Sequence, residues 1–197
     1  MLVGARRVHT ERMPSRLPIV LTSFDLPPAE LAAAALDGEL YRVGNGFAPI
    51  DEIEQPNHRA GSLRAGLHHR LIAEQRSAAW VWGALIAPPA QHEFCTRMGA
   101  RVGHASVLSR AVREVVIEPN EVTIVNCLPV TTPLRTVLDL LRFRSEFAGA
   151  EVEMIKSLMR LGNFGPGECH DELGRRRNLP NKKSATRRLV LFEHGVP

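Results

Sequence analysis

The sequence predicts an α+β protein, with a truncated winged-helix-like module at the N-terminus and a mixed sheet-and-helix domain at the C-terminus. Helix, turn and hairpin signals follow one another between residues 27 and 50, strand-like runs occupy residues 92–126, and helical periodicity dominates after Thr132. With 197 residues and 44% hydrophobic side chains, the chain is long enough to bury a sizeable core. We therefore predict a basic flexible tail at 1–18, a winged-helix-like module at 19–56 and a C-terminal domain at 57–197.

The N-terminal module is predicted from proline and glycine residues that mark the ends of a helix and a turn. A short apolar run at 19–22 could form a strand, and Pro27-Pro28 then begins an alanine-rich helix that ends at Asp37-Gly38. Two strand-like runs, 40–43 and 47–50, flank Gly44-Asn45-Gly46, a sequence typical of a hairpin turn. This is the second half of a winged helix, and the residues before Pro27 do not supply the two further helices that the complete motif needs.

The C-terminal domain is predicted from alternating strand and helix signals. Helices are expected at 58–67 and 75–85, strands at 92–97, 112–118 and 122–126, and helices again at 150–161, 166–177 and 181–192. In the helix at 75–85, one packed face is predicted from the spacing of Ala78, Ala79, Trp82 and Ile86. The apolar run at 115–117 favours a strand covered on both sides. Trp80 is either a core residue or an exposed anchor for a partner, with the core favoured.

The clearest local pattern is residues 128–140, in which Thr132 precedes a predicted helix. The Thr132 hydroxyl is a natural N-cap, and Pro133 fits the first position of a helix. Arg135 and Asp139 lie four residues apart on one side of that helix, where they are expected to form a structural ion pair.

Three segments resemble the AbiEi family of antitoxins. Residues 77–84 (SAAWVWGA) resemble a helix of that family, residues 128–140 (LPVTTPLRTVLDL) resemble its Leu-Pro-Val-Thr segment, and residues 39–47 (ELYRVGNGF) resemble the wing of its winged helix. The segments occur in the family's order and spacing and together cover about residues 27–145. The resemblance implies an antitoxin of a type IV toxin–antitoxin pair, whose winged helix binds operator DNA and whose toxin partner is a nucleotidyltransferase.

Charge is distributed unevenly along the chain. The net charge of +4 arises from +3 in residues 1–20, −5 in residues 21–60, +3 in residues 61–150 and +3 in residues 151–197. The helix at 28–36, which would read DNA in a winged helix, offers Glu30 and alanines in place of the cationic and amide side chains that bind phosphates and base edges. This departure from the family favours a second hypothesis, a protein-binding module that masks a partner without recognising DNA.

Basic residues outside the helix at 28–36 are the candidate contacts to nucleic acid or a partner. Seven basic residues lie within fourteen positions near the C-terminus, and Arg42 lies on the predicted wing. An ordinary solvated helix face is the competing interpretation of the C-terminal group. The predicted contact residues are Arg42, Arg175, Arg176, Arg177, Lys182, Lys183, Arg187 and Arg188.

Sequence patterns typical of catalysis are absent. There is no P-loop, dinucleotide fingerprint or HExxH, and the acids after Gly61-Ser62 do not form the metal-binding pair of a nucleotidyltransferase. Adjacent positions on a helix point apart, so Cys169-His170-Asp171 is expected to be a partly buried thiol beside surface residues. We predict a cytoplasmic protein that is not an enzyme, with buried cysteines and with neither a metal nor a cofactor; a degenerate nuclease is the disfavoured third hypothesis.

Overall fold

The computed structural model describes residues 17–100, 111–145, 147–176 and 178–193. In these residues the chain forms helices and strands in an α+β arrangement, which confirms the predicted fold class. The helices are α1 (Pro28–Leu36), α2 (Pro56–Arg64), α3 (Gln75–Trp82), α4 (Pro133–Phe143), α5 (Gly149–Gly162), α6 (Pro166–Arg175) and α7 (Lys182–Glu193). The strands are β1 (Leu40–Val43), β2 (Gly46–Pro49), β3 (Ile72–Ala73), β4 (Glu93–Arg97), β5 (Ala111–Val115), β6 (Val122–Val125) and β7 (Leu128–Thr131).

Strands β1 and β2 form the predicted hairpin, joined through a tight turn at Gly44. Gly44 has φ +54°, and a Cβ placed there would lie 2.8 Å from the Trp80 ring, so both the backbone and the packing require glycine. Leu21 forms one antiparallel bridge to Phe47, which is all that remains of the strand considered for residues 19–22. Between Leu17 and the hairpin the structure contains α1 as its one helix, so the predicted truncated winged-helix-like module is not confirmed.

The larger sheet has five strands in the order β5-β4-β3-β7-β6. Strands β3 and β7 are parallel and form its centre, flanked by the antiparallel pairs β3-β4 and β6-β7. Strand β5 pairs in parallel with β4 at one edge. Val116, immediately after β5, is largely exposed, so the prediction that this run is covered on both faces was wrong.

Helices α2 and α3 pack with the hairpin on one face of the sheet. Trp80 lies in this core with Val43, Leu63 and Phe94, which confirms the core interpretation of Trp80. Helix α3 ends at Gly83, whose φ of +90° forms a left-handed C-cap. Ile86 consequently lies beyond the helix and is exposed, contrary to the predicted packed face.

The remaining helices build a second core around α4. One side of α4 contributes Val137, Leu138 and Leu141, which pack against α5, α6 and α7. The Thr132 side chain accepts a hydrogen bond from the Arg135 backbone N–H (3.4 Å), and Pro133 occupies the first turn, as predicted. Helix α4 thus packs between α3 and the C-terminal helices α5, α6 and α7.

Candidate partner-binding surface and the buried ionic network

The segments that resemble the AbiEi family are packed against each other. Trp82, on α3, donates its indole N–H to the backbone carbonyl of Thr131 at 2.9 Å. Ala79 of α3 is fully buried in the same core as Val137 of α4. Its small side chain allows α3 and α4 to approach closely. The hydroxyls of Thr131 and Thr136 are 2.7 Å apart in the interior. The residues of segments 77–84 and 128–140 are therefore mostly interior, whereas the segment 39–47 carries the exposed side chains of Glu39 and Arg42.

The predicted pair of Arg135 and Asp139 is present and buried. Arg135 Nε lies 2.8 Å from Asp139 Oδ2, and the side chains are 4% and 1% exposed. The same guanidinium reaches Glu121 Oε2 at 2.8 Å, and Arg142 reaches Asp139 Oδ1 at 3.1 Å. Arg176, immediately after α6, contacts the other oxygen of Glu121 at 2.7 Å. The pair is therefore one part of a network that joins the sheet, α4 and α6.

Burial and neighbouring charges shift the ionisation of this network. Burial alone would lower the pKa of Arg135, but Asp139 and Glu121 outweigh it and raise that pKa, so the guanidinium remains charged. Burial lowers the pKa of Arg142 to about 10, since the attraction of Asp139 is opposed by the neighbouring guanidiniums. Burial would also raise the pKa of Glu121, yet a backbone hydrogen bond and two arginines bring it below its ordinary value. The network is therefore held by several mutually dependent charges.

Glu121 and Arg142 were not identified from the sequence. Glu121 ends a short 3-10 turn (Pro119–Glu121) before β6, and its side chain accepts the backbone N–H of Glu118. Arg142 is three residues after Asp139 on α4, a spacing that brings side chains together on a helix. That spacing is a local signal for Arg142, whereas the approach of Glu121 to α4 depends on tertiary packing.

Several predicted contact residues form intramolecular bonds. Arg188 donates to the carbonyls of Leu141 (2.8 Å) and Arg144 (2.7 Å), where the last carbonyls of α4 lack helical partners. Lys182 donates to the Arg176 carbonyl at 3.1 Å, near the end of α6. Arg176 pairs with Glu121 as described above. These three side chains connect α7 and α6 to the rest of the domain.

Other predicted contact residues project from the surface. Lys183 and Arg187 lie on the exposed side of α7, opposite the buried Ala185 and Leu189, and no ion pair or hydrogen bond of their side chains occurs in the described part of the chain. They border a shallow depression of about 820 Å³ together with Leu179, Thr186 and Val190. We name Lys183 and Arg187 the α7 basic face.

The last predicted contact residues lie apart from the α7 basic face. Arg175 is largely exposed and pairs with Glu172 at 3.1 Å. Arg42 is on β1, where its Nε donates to the Gly44 carbonyl at 3.2 Å. Arg177 lies outside the described residues.

Arg187 and Arg188 are adjacent on α7, so they allow a direct comparison of an exposed cation with one that forms intramolecular hydrogen bonds. Replacing Arg188 with alanine is expected to lower the free energy of unfolding by about 1–3 kcal/mol, because two partly buried carbonyls lose a charged donor. Replacing the neighbouring Arg187 with alanine is expected to change it by less than about 0.5 kcal/mol. Urea denaturation followed by circular dichroism measures both values, and equal values for the two variants would contradict the assigned contacts.

Groups with potential for catalysis are separated or already paired. Cys169 is fully buried, and burial raises its pKa to about 12, whereas His170 and Asp171 are exposed. Cys127 is exposed, so the expectation that all three cysteines are buried was wrong for that residue. The Glu74 carboxylate accepts hydrogen bonds from Arg113 Nε at 2.7 Å and from Arg113 Nη2 at 2.6 Å. Across the described ranges, no cluster of three or more His, Cys, Asp or Glu has the arrangement to hold a metal ion.

These features describe an α+β protein in which the segments 77–84 and 128–140 form much of the interior, and in which Lys183 and Arg187 lie unpaired on the surface. Residues 71–163 match the model of the AbiEi antitoxin C-terminal domain, a stretch that extends from the start of β3 to the end of α5. The match covers a little less than half of the chain and supports an AbiEi-family antitoxin-like protein with an antitoxin role in a toxin–antitoxin pair.

Similarity to other proteins is limited. The fold is similar to that in the crystal structure of the RV2827C protein from Mycobacterium tuberculosis, with 16% sequence identity, a TM-score of 0.50 and coverage of 89% of this chain and 71% of that one. At this identity the likeness concerns the fold alone. A search among curated proteins gave no significant match. None of the helices in the described ranges has the length and apolar character needed to cross a membrane.

Proposed function

We propose that this protein is an antitoxin-like transcriptional regulator that binds DNA non-covalently and has a nucleotidyltransferase toxin as its protein partner. The match to the AbiEi antitoxin domain carries the antitoxin part of the proposal. The toxin class and the binding of operator DNA come from the family resemblance. Because the segments 77–84 and 128–140 are mostly buried, a partner would have to be recognised by other, exposed residues.

The α7 basic face is the proposed DNA contact. Lys183 and Arg187 are exposed, lack intramolecular partners within the described residues and are four positions apart, so they lie on the same side of the helix. Cations in this state are free to replace the counterions condensed on DNA phosphates, whereas Arg176, Lys182 and Arg188 would have to give up existing contacts. Arg175 at the end of α6 and Arg42 on the hairpin are proposed as additional contacts, because their existing contacts with Glu172 and the Gly44 carbonyl are exposed to solvent.

The proposal is tested by fluorescence anisotropy with DNA from upstream of the protein's own gene, titrated at several salt concentrations. The double variant Lys183→Ser/Arg187→Ser is expected to bind more weakly and to reduce the salt slope by about 2, since each phosphate contact contributes about 0.9. Lys156→Ser/Arg160→Ser on α5 removes the same charge elsewhere and is expected to retain the slope. An unchanged slope in the α7 variant would reject this face, and no salt-sensitive binding at micromolar protein would reject the regulator.

A second candidate function is a protein-binding module that masks its partner without recognising DNA. Helix α1 favours it, because its exposed positions carry Glu30, alanines and Leu36, none of which binds phosphate. The same titration separates the two functions, since a module of this kind would produce no salt-sensitive binding to DNA.

A further inference from the structure

Large apolar side chains are exposed together at the open end of the β1-β2 hairpin. Leu36 is 89% exposed at the end of α1, and Ile50 and Ile53 are 60% and 81% exposed after β2. Single exposed apolar residues are ordinary, but a group of them surrounded by polar residues is typical of an interaction surface. We define the acidic–apolar patch as Leu36, Ile50 and Ile53 together with Asp37, Glu39 and Asp51.

Backbone hydrogen bonds bring the two halves of the patch together. The Glu39 N–H donates to the carbonyl of Ala34 at 2.9 Å, which folds the turn after α1 back onto the helix. The Ile50 N–H donates to the carbonyl of Glu39, also at 2.9 Å, which places the end of β2 beside that turn. The Glu52 N–H then bonds the Pro49 carbonyl at 3.1 Å, so the chain carrying Ile53 turns tightly after the hairpin. The patch therefore has a defined backbone.

The acidic residues of the patch have unbalanced charge. Nearby Glu52 is paired with His58, and Glu54 is paired with Arg59. Asp37, Glu39 and Asp51 are exposed and make no ion pair in the part of the chain that the structure describes. Arg42 lies on the same hairpin, but its guanidinium is directed to the carbonyl of Gly44, at the opposite, turn end.

This combination of charge and apolar surface selects among possible occupants. DNA and anionic membranes are repelled by unpaired carboxylates. A second copy in a two-fold contact would place the same acids against one another, because such an interface uses one patch twice. A basic polypeptide gains both from burying the leucine and isoleucines and from pairing with the carboxylates. We propose that the acidic–apolar patch docks an amphipathic, Lys/Arg-rich segment of a partner protein.

The proposal is tested with two synthetic helical peptides that share the same leucine positions, one flanked by lysine and arginine and the other by glutamate. Fluorescence anisotropy with the full chain is expected to show saturable binding of the cationic peptide and none of the acidic one. Leu36→Ser/Ile53→Ser is expected to weaken binding of the cationic peptide at least about tenfold. Asp37→Asn/Glu39→Gln/Asp51→Asn is expected to weaken it and to flatten its salt dependence.

Ile86→Ser/Ile124→Ser removes two exposed isoleucines elsewhere and provides the matched control, for which no change is expected. Equal binding of the two peptides, or binding that the patch variants leave unchanged, would overturn the proposal. So would concentration-dependent self-association in sedimentation velocity that Leu36→Ser/Ile53→Ser abolishes, because a second copy would then be the occupant. Lys183→Ser/Arg187→Ser is expected to leave peptide binding intact, so failure of the α7 proposal is distinguished from failure of this one.

Discussion

Replacing Asp139 with asparagine is expected to lower the free energy of unfolding by about 3–5 kcal/mol. Asp139 is fully buried and lies between Arg135 Nε at 2.8 Å and Arg142 Nη1 at 3.1 Å. Asparagine has nearly the same shape but no charge, so two guanidiniums inside the domain lose their shared carboxylate. Urea denaturation followed by circular dichroism measures the loss, against a total stability of about 5–15 kcal/mol for an ordinary domain.

The matched variant for this prediction is Arg135→Met/Asp139→Leu. Removing both charges leaves neither Arg135 nor Asp139 without its partner, and apolar replacement of a buried ion pair is often tolerated, so the remaining loss is that of the Arg142 contact with Asp139. We therefore expect the double variant to lose less stability than the sum of the two single replacements, which a double-mutant cycle quantifies. Additive losses would mean that Arg135 and Asp139 are not energetically coupled.

Replacing Trp80 with alanine is the second change expected to have a large effect, about 3–5 kcal/mol of unfolding free energy. Trp80 is 1% exposed and packs against Val43 of the hairpin as well as Phe94 of the sheet. The Gly44 turn also lies against its ring, so the cavity would form where the hairpin meets α3 and the sheet. Thermal and urea unfolding both report this loss.

Trp80→Phe provides the control because it retains most of the apolar volume. It also removes an indole N–H that is buried without a hydrogen-bond partner in the described structure, and such donors are costly. We expect its loss to be well below that of Trp80→Ala. A loss under about 1 kcal/mol for the alanine variant would show that the hairpin does not depend on this core for its packing.

The elements predicted correctly are those with strong local signals. The positions of proline and glycine predicted the ends of α1 and of the hairpin strands to within one or two residues, and Thr132-Pro133 predicted the start of α4. Strand β3 was missed because two residues are too few to show a periodicity, although pairing with β4 and β7 places it at the centre of the sheet. Strand β7 was missed because its residues were interpreted only as the approach to α4. The division of the chain into domains stays a prediction.

The roles of the candidate contact residues were even harder to predict from local sequence than the positions of these strands. Arg187 and Arg188 are identical and adjacent, so their sequence context predicts similar roles. Their different contacts follow from helical rotation, which directs Arg188 toward the end of α4 and Arg187 toward solvent. The assignment of either to DNA or a partner stays a prediction, but the structure gives α7 both a structural and an exposed cation.

By itself the sequence determined the α+β class, the AbiEi resemblance and the likelihood of a pair between Arg135 and Asp139, because each depends on residues close together in the chain. Only the tertiary structure decided that the pair is buried and extended by Glu121, Arg142 and Arg176, since those contacts join elements that are distant in sequence. It also decided which charges remain unpaired, because each salt bridge or carbonyl contact requires a partner brought there by packing. Local pattern specified the helices and the strands other than β3 and β7, and packing specified the surfaces they leave for a partner.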